Sequence, residues 1–197
     1  MDVFQKAFDF KDAKEVREMG LYLYFRTIES GQDPVVTMDG QPVVMLGSNN
    51  YLGLKNHTEI KQAARQALNN YGTGTAGSRF LNGTLDINVE LEERLAAFME
   101  RDAAVCFSTG FTVNLGVISA LIGRRDVVIL DSLDHACIMD GARLSYGRVL
   151  KYAHNDMDVL EERLRSVGDD NAVMIVVDGV FSMEGDLGII PKIVELK

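Results

Sequence analysis

Cysteine and histidine are both scarce in this chain of 197 residues, with two of the first and three of the second. Cys106 and Cys137 sit in apolar or mixed surroundings without CxxC spacing, which favours buried, reduced thiols over a disulfide or a metal ligand. Three isolated histidines do not make a zinc site either, so no metal is expected. Long apolar runs are lacking as well. None approaches the roughly 20 residues that cross a bilayer, and the opening MDVFQKAFDF has neither the basic start nor the apolar stretch of a signal peptide. No membrane span is expected, and the cytoplasm is the default location. There is no excess of basic residues: a net charge of −9 excludes non-specific nucleic-acid binding, which needs a basic face to neutralise phosphates. Internal repeats, low-complexity segments and charge blocks are absent, so no linker divides the chain.

What is present is an ordinary soluble composition, 47% hydrophobic and 25% charged, with enough apolar material for a sizeable core. Lys11 to Ser30 is charged at first and then aromatic (LYLYFR), which predicts an N-terminal helix leading into an arm. Two β-rich runs around Asp39-Gly40 give a strong hairpin signal between Pro34 and Leu46. GSNNYLGL, Gly47 to Leu54, is a loop dense in turn formers. Helices are predicted from about Thr58 to Asn70 and from about Leu85 to Arg101, separated by the glycine-rich loop YGTGTAGSRFLNGT.

From Ala103 the pattern becomes regular: strand AAVCF, a helix from about Gly110, strand DVVIL, a helix from about His135, strand RVLKY, a helix from about Met157 and strand VMIVV. Alternating strands and helices imply crossover units and a mostly parallel α/β sheet covered on both faces. Strands that are apolar without alternation fit burial on both sides.

Polar groups cluster where such a sheet binds ligands. CFSTGF ends a strand and starts a helix at Thr109-Gly110-Phe111, where free N–H groups and the helix dipole suit a phosphate, although Ser-Thr-Gly is also an ordinary helix start. LDSLDHAC places His135 just beyond a strand; its flat ring suits stacking on an aromatic cofactor, or the residue is a surface or capping histidine. VMIVVDGVFSMEGD ends a strand in a turn carrying Ser182, Glu184 and Asp186, and its serine serves a cofactor oxygen or the turn itself. The glycines at 72, 74, 77 and 83 permit close backbone approach, but lack the spacing and the preceding strand of a dinucleotide fingerprint.

The order SNNYLGL, GTGTAGSRFLNGT, FSTGF, LDHA, HND, DGVFSMEGD resembles the N-terminal half of the α-oxoamine synthases, from about Leu21 onward. The resemblance implies the three-layer major domain of the aspartate aminotransferase-like, pyridoxal 5'-phosphate (PLP)-dependent transferases, with residues 1–54 as arm and hairpin and 55–197 as the first part of that domain. It implies that the Gly110 and Phe111 amides bind the PLP phosphate, that His135 stacks on the pyridine ring as the catalytic-site histidine, and that Ser182 sits near the ring hydroxyl. It further implies that Asn49 approaches the substrate carboxylate and that Ser78 lines the acyl-CoA side, both near the interface of a homodimer. His154 and Glu184 match family positions with structural roles. The implied reaction joins an amino acid to an acyl-CoA thioester, loses carbon dioxide and yields an α-amino ketone.

Within the family, LYLYFRTIES with GSRFLNGTLDI looks most like the soluble bacterial serine palmitoyltransferases. The 8-amino-7-oxononanoate synthases and 2-amino-3-ketobutyrate CoA ligases share most motifs, and a non-catalytic partner subunit is the alternative of another class. Two departures stand out. Asn88 replaces a common family histidine, and the chain stops at Lys197 before the family's Asp-Glu-Ala-His motif and its cofactor-linking lysine. The expectation is that the isolated chain forms no covalent link to PLP, has no synthase activity of its own, and is poorly soluble unless a partner covers its sheet edge.

Overall fold

The computed structural model describes residues 2–168 and 171–196; Lys197, on which the expected stop falls, lies outside them. The chain divides into two compact units, one up to Thr84 and one from Leu85 onward.

The first unit opens with two short helices, α1 (Gln5–Phe8) and α2 (Asp12–Glu18). The aromatic stretch that follows is not helical, and the Arg17 guanidinium lies over the Tyr22 ring at 4.3 Å. Strands β1 (Val35–Met38) and β2 (Gln41–Val44) form the expected hairpin, pairing Met38 with Gln41. Its turn residues Asp39 and Gly40 have φ of 52° and 70°, the double left-handed step that matches the natural twist of a two-residue hairpin. Helix α3 (Thr58–Tyr71) then ends at Gly72, whose φ of 77° suits a residue without a side chain.

The second unit begins with α4 (Asp86–Phe98). Asn88 accepts the Leu85 N–H at 3.0 Å and so caps this helix from within its first turn. The helix stops short of the predicted Arg101 because Glu100 turns left-handed (φ 52°) and the Arg101 N–H bonds back to the Ala96 carbonyl at 2.9 Å. No glycine marks that stop. Then comes α5 (Gly110–Leu121), followed by β3 (Val127–Asp131), α6 (Ala136–Leu144), β4 (Arg148–Tyr152), α7 (Met157–Val167), β5 (Val173–Val176) and α8 (Ile190–Leu196). The strands form a parallel sheet in the order β4-β3-β5.

The central strand organises the core. Val128 and Leu130 face Ile118, Ile122, Ile138 and Ala142 of the α5–α6 layer, whereas Val127 and Ile129 face Leu160, Val167 and Ile193 of the α7–α8 layer. This is the three-layer α/β arrangement expected, with each of those four strand residues contributing about 1.5–3 kcal/mol by burial. Burial on both sides holds for β3 alone; β4 and β5 flank it and are partly exposed.

One expected strand is not there. Ala103–Phe107 is irregular: it joins no sheet among the described residues, and the Cys106 N–H donates to the Glu92 carboxylate at 2.7 Å. An apolar run favours extension, but a strand exists only where a neighbouring backbone supplies its ladder.

Helices α5 and α6 approach closely at Gly141, where a Cβ would stand 2.7 Å from the Asn114 carbonyl oxygen and 3.2 Å from the Ile118 methyl. Gly141→Ala is therefore expected to destabilise the protein by about 1–3 kcal/mol despite its higher helix propensity, read as a lower unfolding midpoint in urea.

Candidate functional site

A parallel sheet gathers its loops at the carboxyl ends of its strands, and here those ends carry a dense set of acidic and imidazole groups. Asp131, the last residue of β3, is fully buried. Its carboxylate accepts N–H bonds from Leu133 and Asn155 and meets His154 Nδ1, each at 2.9 Å. Asp134 is buried too, and its two oxygens accept the Asp131 and Asp178 N–H groups at 2.9 Å, tying the β3 loop to the end of β5. In return the Asp178 carboxylate accepts the His135 N–H at 2.8 Å. Burial is the main cause that pushes the Asp134 carboxyl up to about 7, against the lowering effect of its two backbone bonds.

His154 bridges two acids. Its Nδ1 meets Asp131 and its Nε2 meets Asp186, both at 2.9 Å, while its ring stands edge-on to buried Phe181 with centroids 4.4 Å apart. Both contacts raise its pKa, Asp186 first and Asp131 second, because a carboxylate beside each ring nitrogen favours a proton there. Next to it, Asn155 takes a left-handed φ of 54° and donates to the Leu187 carbonyl at 3.1 Å. These contacts grip the Phe181–Leu187 turn, which closes on itself through Phe181 N–H to Asp186 O and Gly185 N–H to Phe181 O. Ser182 is exposed on that turn.

The second wall of the site is the start of α5. Thr109 caps the helix by accepting the Thr112 N–H at 3.1 Å, and the Thr112 hydroxyl oxygen accepts the Thr109 N–H at 3.2 Å. The ordinary capping role of Ser-Thr-Gly is thus real. It still leaves the Gly110 and Phe111 amides without an acceptor among the described residues. A Cβ built on Gly110 would meet nothing within 4 Å, so the backbone there is open to a ligand. Beside it the Phe111 and His135 rings stand edge to face, 6.4 Å between centroids. His135 is also a cap: its Nδ1 accepts the Cys137 N–H at 3.1 Å at the start of α6.

Gly110, Phe111, His135 and Ser182 all belong to the second unit: the Phe111 and His135 rings are in edge contact, the His135 N–H donates to Asp178, and Asp178 leads along the chain into the turn that holds Ser182. Asn49 and Ser78 belong to the first unit. There Asn49 is exposed and lines a pocket with Ile28, Val36, Met45 and Lys55, accepting the Tyr51 hydroxyl at 3.4 Å. Ser78 anchors the glycine loop: its carbonyl accepts the Leu81, Asn82 and Gly83 N–H groups, and its hydroxyl accepts the Phe80 N–H at 3.2 Å. Gly83 packs so tightly on Gly77 that a Cβ would lie 1.8 Å from the Gly77 carbonyl oxygen, the close approach the glycines were expected to permit. Sequence reasoning singled out neither Asp131, Asp134 nor Asp178. Their signal was a strand ending in aspartate, visible in VVILD and VMIVVD, but nothing in it said which donors each would meet.

Residues 41–196 match the family model described as aminotransferase class I and II. The chain belongs to that family. Among relatives, a serine palmitoyltransferase of Sphingobacterium spiritivorum is 52% identical over 95% of this chain and 47% of its own length. An 8-amino-7-oxononanoate synthase of Geobacter sulfurreducens is 47% identical over 94% of this chain and 48% of its own. Among solved structures, a serine palmitoyltransferase from S. paucimobilis with a bound PLP–myriocin aldimine superimposes with a TM-score of 0.94 at 32% identity, covering 100% of this chain and 50% of that one. The chain thus spans about half the length of the relatives it matches. Among the described residues no helix is long and apolar enough to cross a membrane.

The site makes stability depend on pH in one direction. His154 has a raised pKa in the fold, so its contribution is complete below about 6.5 and is lost as pH climbs through the elevated value. Asp134 is also raised, so its contribution is complete below 3.8 and is lost as pH rises through about 7. Thermal unfolding midpoints are expected to fall on passing from weakly acidic to alkaline buffer, and His154→Gln is expected to flatten the part of the curve above neutrality.

Proposed function

We propose that this chain builds the cofactor end of a PLP-dependent acyltransferase of the α-oxoamine synthase type. The reaction condenses an amino acid with an acyl-CoA thioester, releases carbon dioxide and gives an α-amino ketone. Serine and a long-chain acyl-CoA are the substrates favoured, on the motif combination at Leu21–Ser30 and Gly77–Ile87 together with relatives of that name. Alanine with a pimeloyl thioester is the second reading, supported by the synthase at 47% identity.

The observation that carries the proposal is the start of α5, where two adjacent amides lack acceptors at the positive end of a 12-residue helix. Such a pair suits a phosphate dianion. The residues around it fit the rest of the cofactor: His135 offers a flat ring, Ser182 a hydroxyl on a turn fixed by His154, and the acidic groups are already engaged with backbone donors or imidazole. When bound, PLP supplies an electron sink for charge developing at the amino-acid Cα. The protein's share is orientation. Gly110 and Phe111 would anchor the phosphate, His135 would fix the plane of the ring, and Ser182 would donate to the ring hydroxyl oxygen. In the first unit, Asn49 would donate its amide to the substrate carboxylate and Ser78 would border the acyl-CoA, within a homodimer whose second copy completes the site.

Gly110→Pro is the sharpest test. Proline is tolerated at the first position of a helix, and Thr109 before it already has an extended backbone, φ −148° and ψ 156°. The substitution deletes one amide donor to the phosphate and leaves α5 intact. PLP affinity, measured by fluorescence titration, is expected to weaken about tenfold or more, the worth of a hydrogen bond to a charged group. Unchanged affinity with unchanged helicity would remove the start of α5 from the proposal.

A further inference from the structure

Cys137 is a buried thiol whose sulfur lies between two polar side chains from different helices: His135 Nδ1 at 2.9 Å and Asn114 Nδ2 at 3.0 Å. Neither contact serves the sheet, the caps already described or the grip on the Ser182 turn.

The directions of these bonds are determined by the groups that have no choice. The Cys137 backbone N–H can only donate, and it points at His135 Nδ1 at 3.1 Å. Nδ1 is therefore an acceptor, because a proton there would face the N–H and leave a helix-start donor unsatisfied. The Asn114 amide nitrogen likewise only donates, and it donates to the sulfur. The sulfur, already accepting, has its own hydrogen left for the one acceptor beside it, Nδ1. A single relay follows: Asn114 N–H to Cys137 S, Cys137 S–H to His135 Nδ1, with the Cys137 N–H joining at the same nitrogen.

From this relay we infer that Cys137 and Asn114 are positioning residues for His135: together they hold its proton on Nε2, and they fix the plane of its exposed ring against the start of α6. His135 then has one donor, Nε2–H, and no free acceptor. It can stack and donate, and it cannot serve as a general base at Nδ1. The tautomer stands on this chain's own bonds; its use against a cofactor ring rests on the function proposed above. The arrangement also gives Gly141 a further consequence, since the Asn114 carbonyl lies where a Cβ at that position would intrude.

The test is spectroscopic and needs no turnover. In the full chain labelled with ¹⁵N-histidine, two-bond nitrogen–proton correlations distinguish Nε2–H from Nδ1–H, and His135→Gln identifies which of the three histidine patterns belongs to His135. The expected pattern is Nε2–H in the native chain, retained in Cys137→Ser, which keeps a donor, with the Nδ1 resonance displaced in Cys137→Ala. A proton on Nδ1 in the native chain overturns the inference. The second readout is the infrared S–H stretch in a Cys106→Ser background, where Cys137 is the sole thiol. A band at lower frequency than a free thiol is expected, moving back toward the free position in Asn114→Ala; absence of any S–H band overturns the relay, and a band indifferent to Asn114→Ala removes Asn114 from it. Adding PLP separates the two proposals. Loss of affinity for PLP with the Nε2–H pattern intact counts against the proposed function alone, whereas an Nδ1–H pattern counts against the relay however well PLP binds.

Discussion

The site depends on one buried charge, the Asp131 carboxylate at the end of the central strand. An uncompensated carboxylate there would be strongly unfavourable. It is offset by the Leu133 and Asn155 amides and the His154 ring. Those donors come from the loop after β3 and the loop after β4, so satisfying Asp131 fixes the two loops against each other. His154 carries the constraint onward to Asp186 and thereby to the turn that presents Ser182. Removing the carboxylate would orphan donors in two segments together, which is why a single side chain outweighs the exposed ion pairs of the helices, such as Arg94 with Glu90.

A second set of bonds performs the same task on the other side of β3. Asp134 takes the N–H of Asp178, and Asp178 takes the N–H of His135, so the end of β5 and the start of α6 are fixed by a reciprocal exchange. The start of α5 is not tied to these loops by any such exchange among the described residues. Its capping box uses the Thr112 N–H and leaves Gly110 and Phe111 open. Two adjacent unpaired amides at the positive end of a helix favour an anion.

Much of the fold was legible in the sequence. The Asp39-Gly40 hairpin followed from a turn whose two residues both tolerate positive φ, and β3, β4, α6 and α7 followed from apolar runs alternating with helical spacing. Ala103–Phe107 was misread because it has the composition of a buried strand, and strand composition does not supply a neighbour. The end of α4 was misplaced because Glu100, a residue with no turn signature, adopts the left-handed stop. Gly110, Phe111, His135 and Ser182 stood out as candidates by position, at helix starts and expected strand ends, and the fold places all four in the second unit. Asp131, Asp134 and Cys137 were not, because an acid or a thiol on a strand end or first helical turn has no partner until distant loops are brought to it.

What the sequence determined by itself is local: where the chain turns, which stretches repeat at the period of a helix or run apolar as strands, and which motifs stand in the order of the aminotransferase family. These depend on the preferences of neighbouring residues, which are written in consecutive letters. Only the tertiary structure decided the chemistry of the individual groups. The Asp134 carboxyl is raised by burial beneath packed segments, and the His154 pKa is raised because acids 23 and 32 residues away converge on it. Desolvation and hydrogen bonding act over a few ångströms in space, a distance the order of residues along the chain does not record.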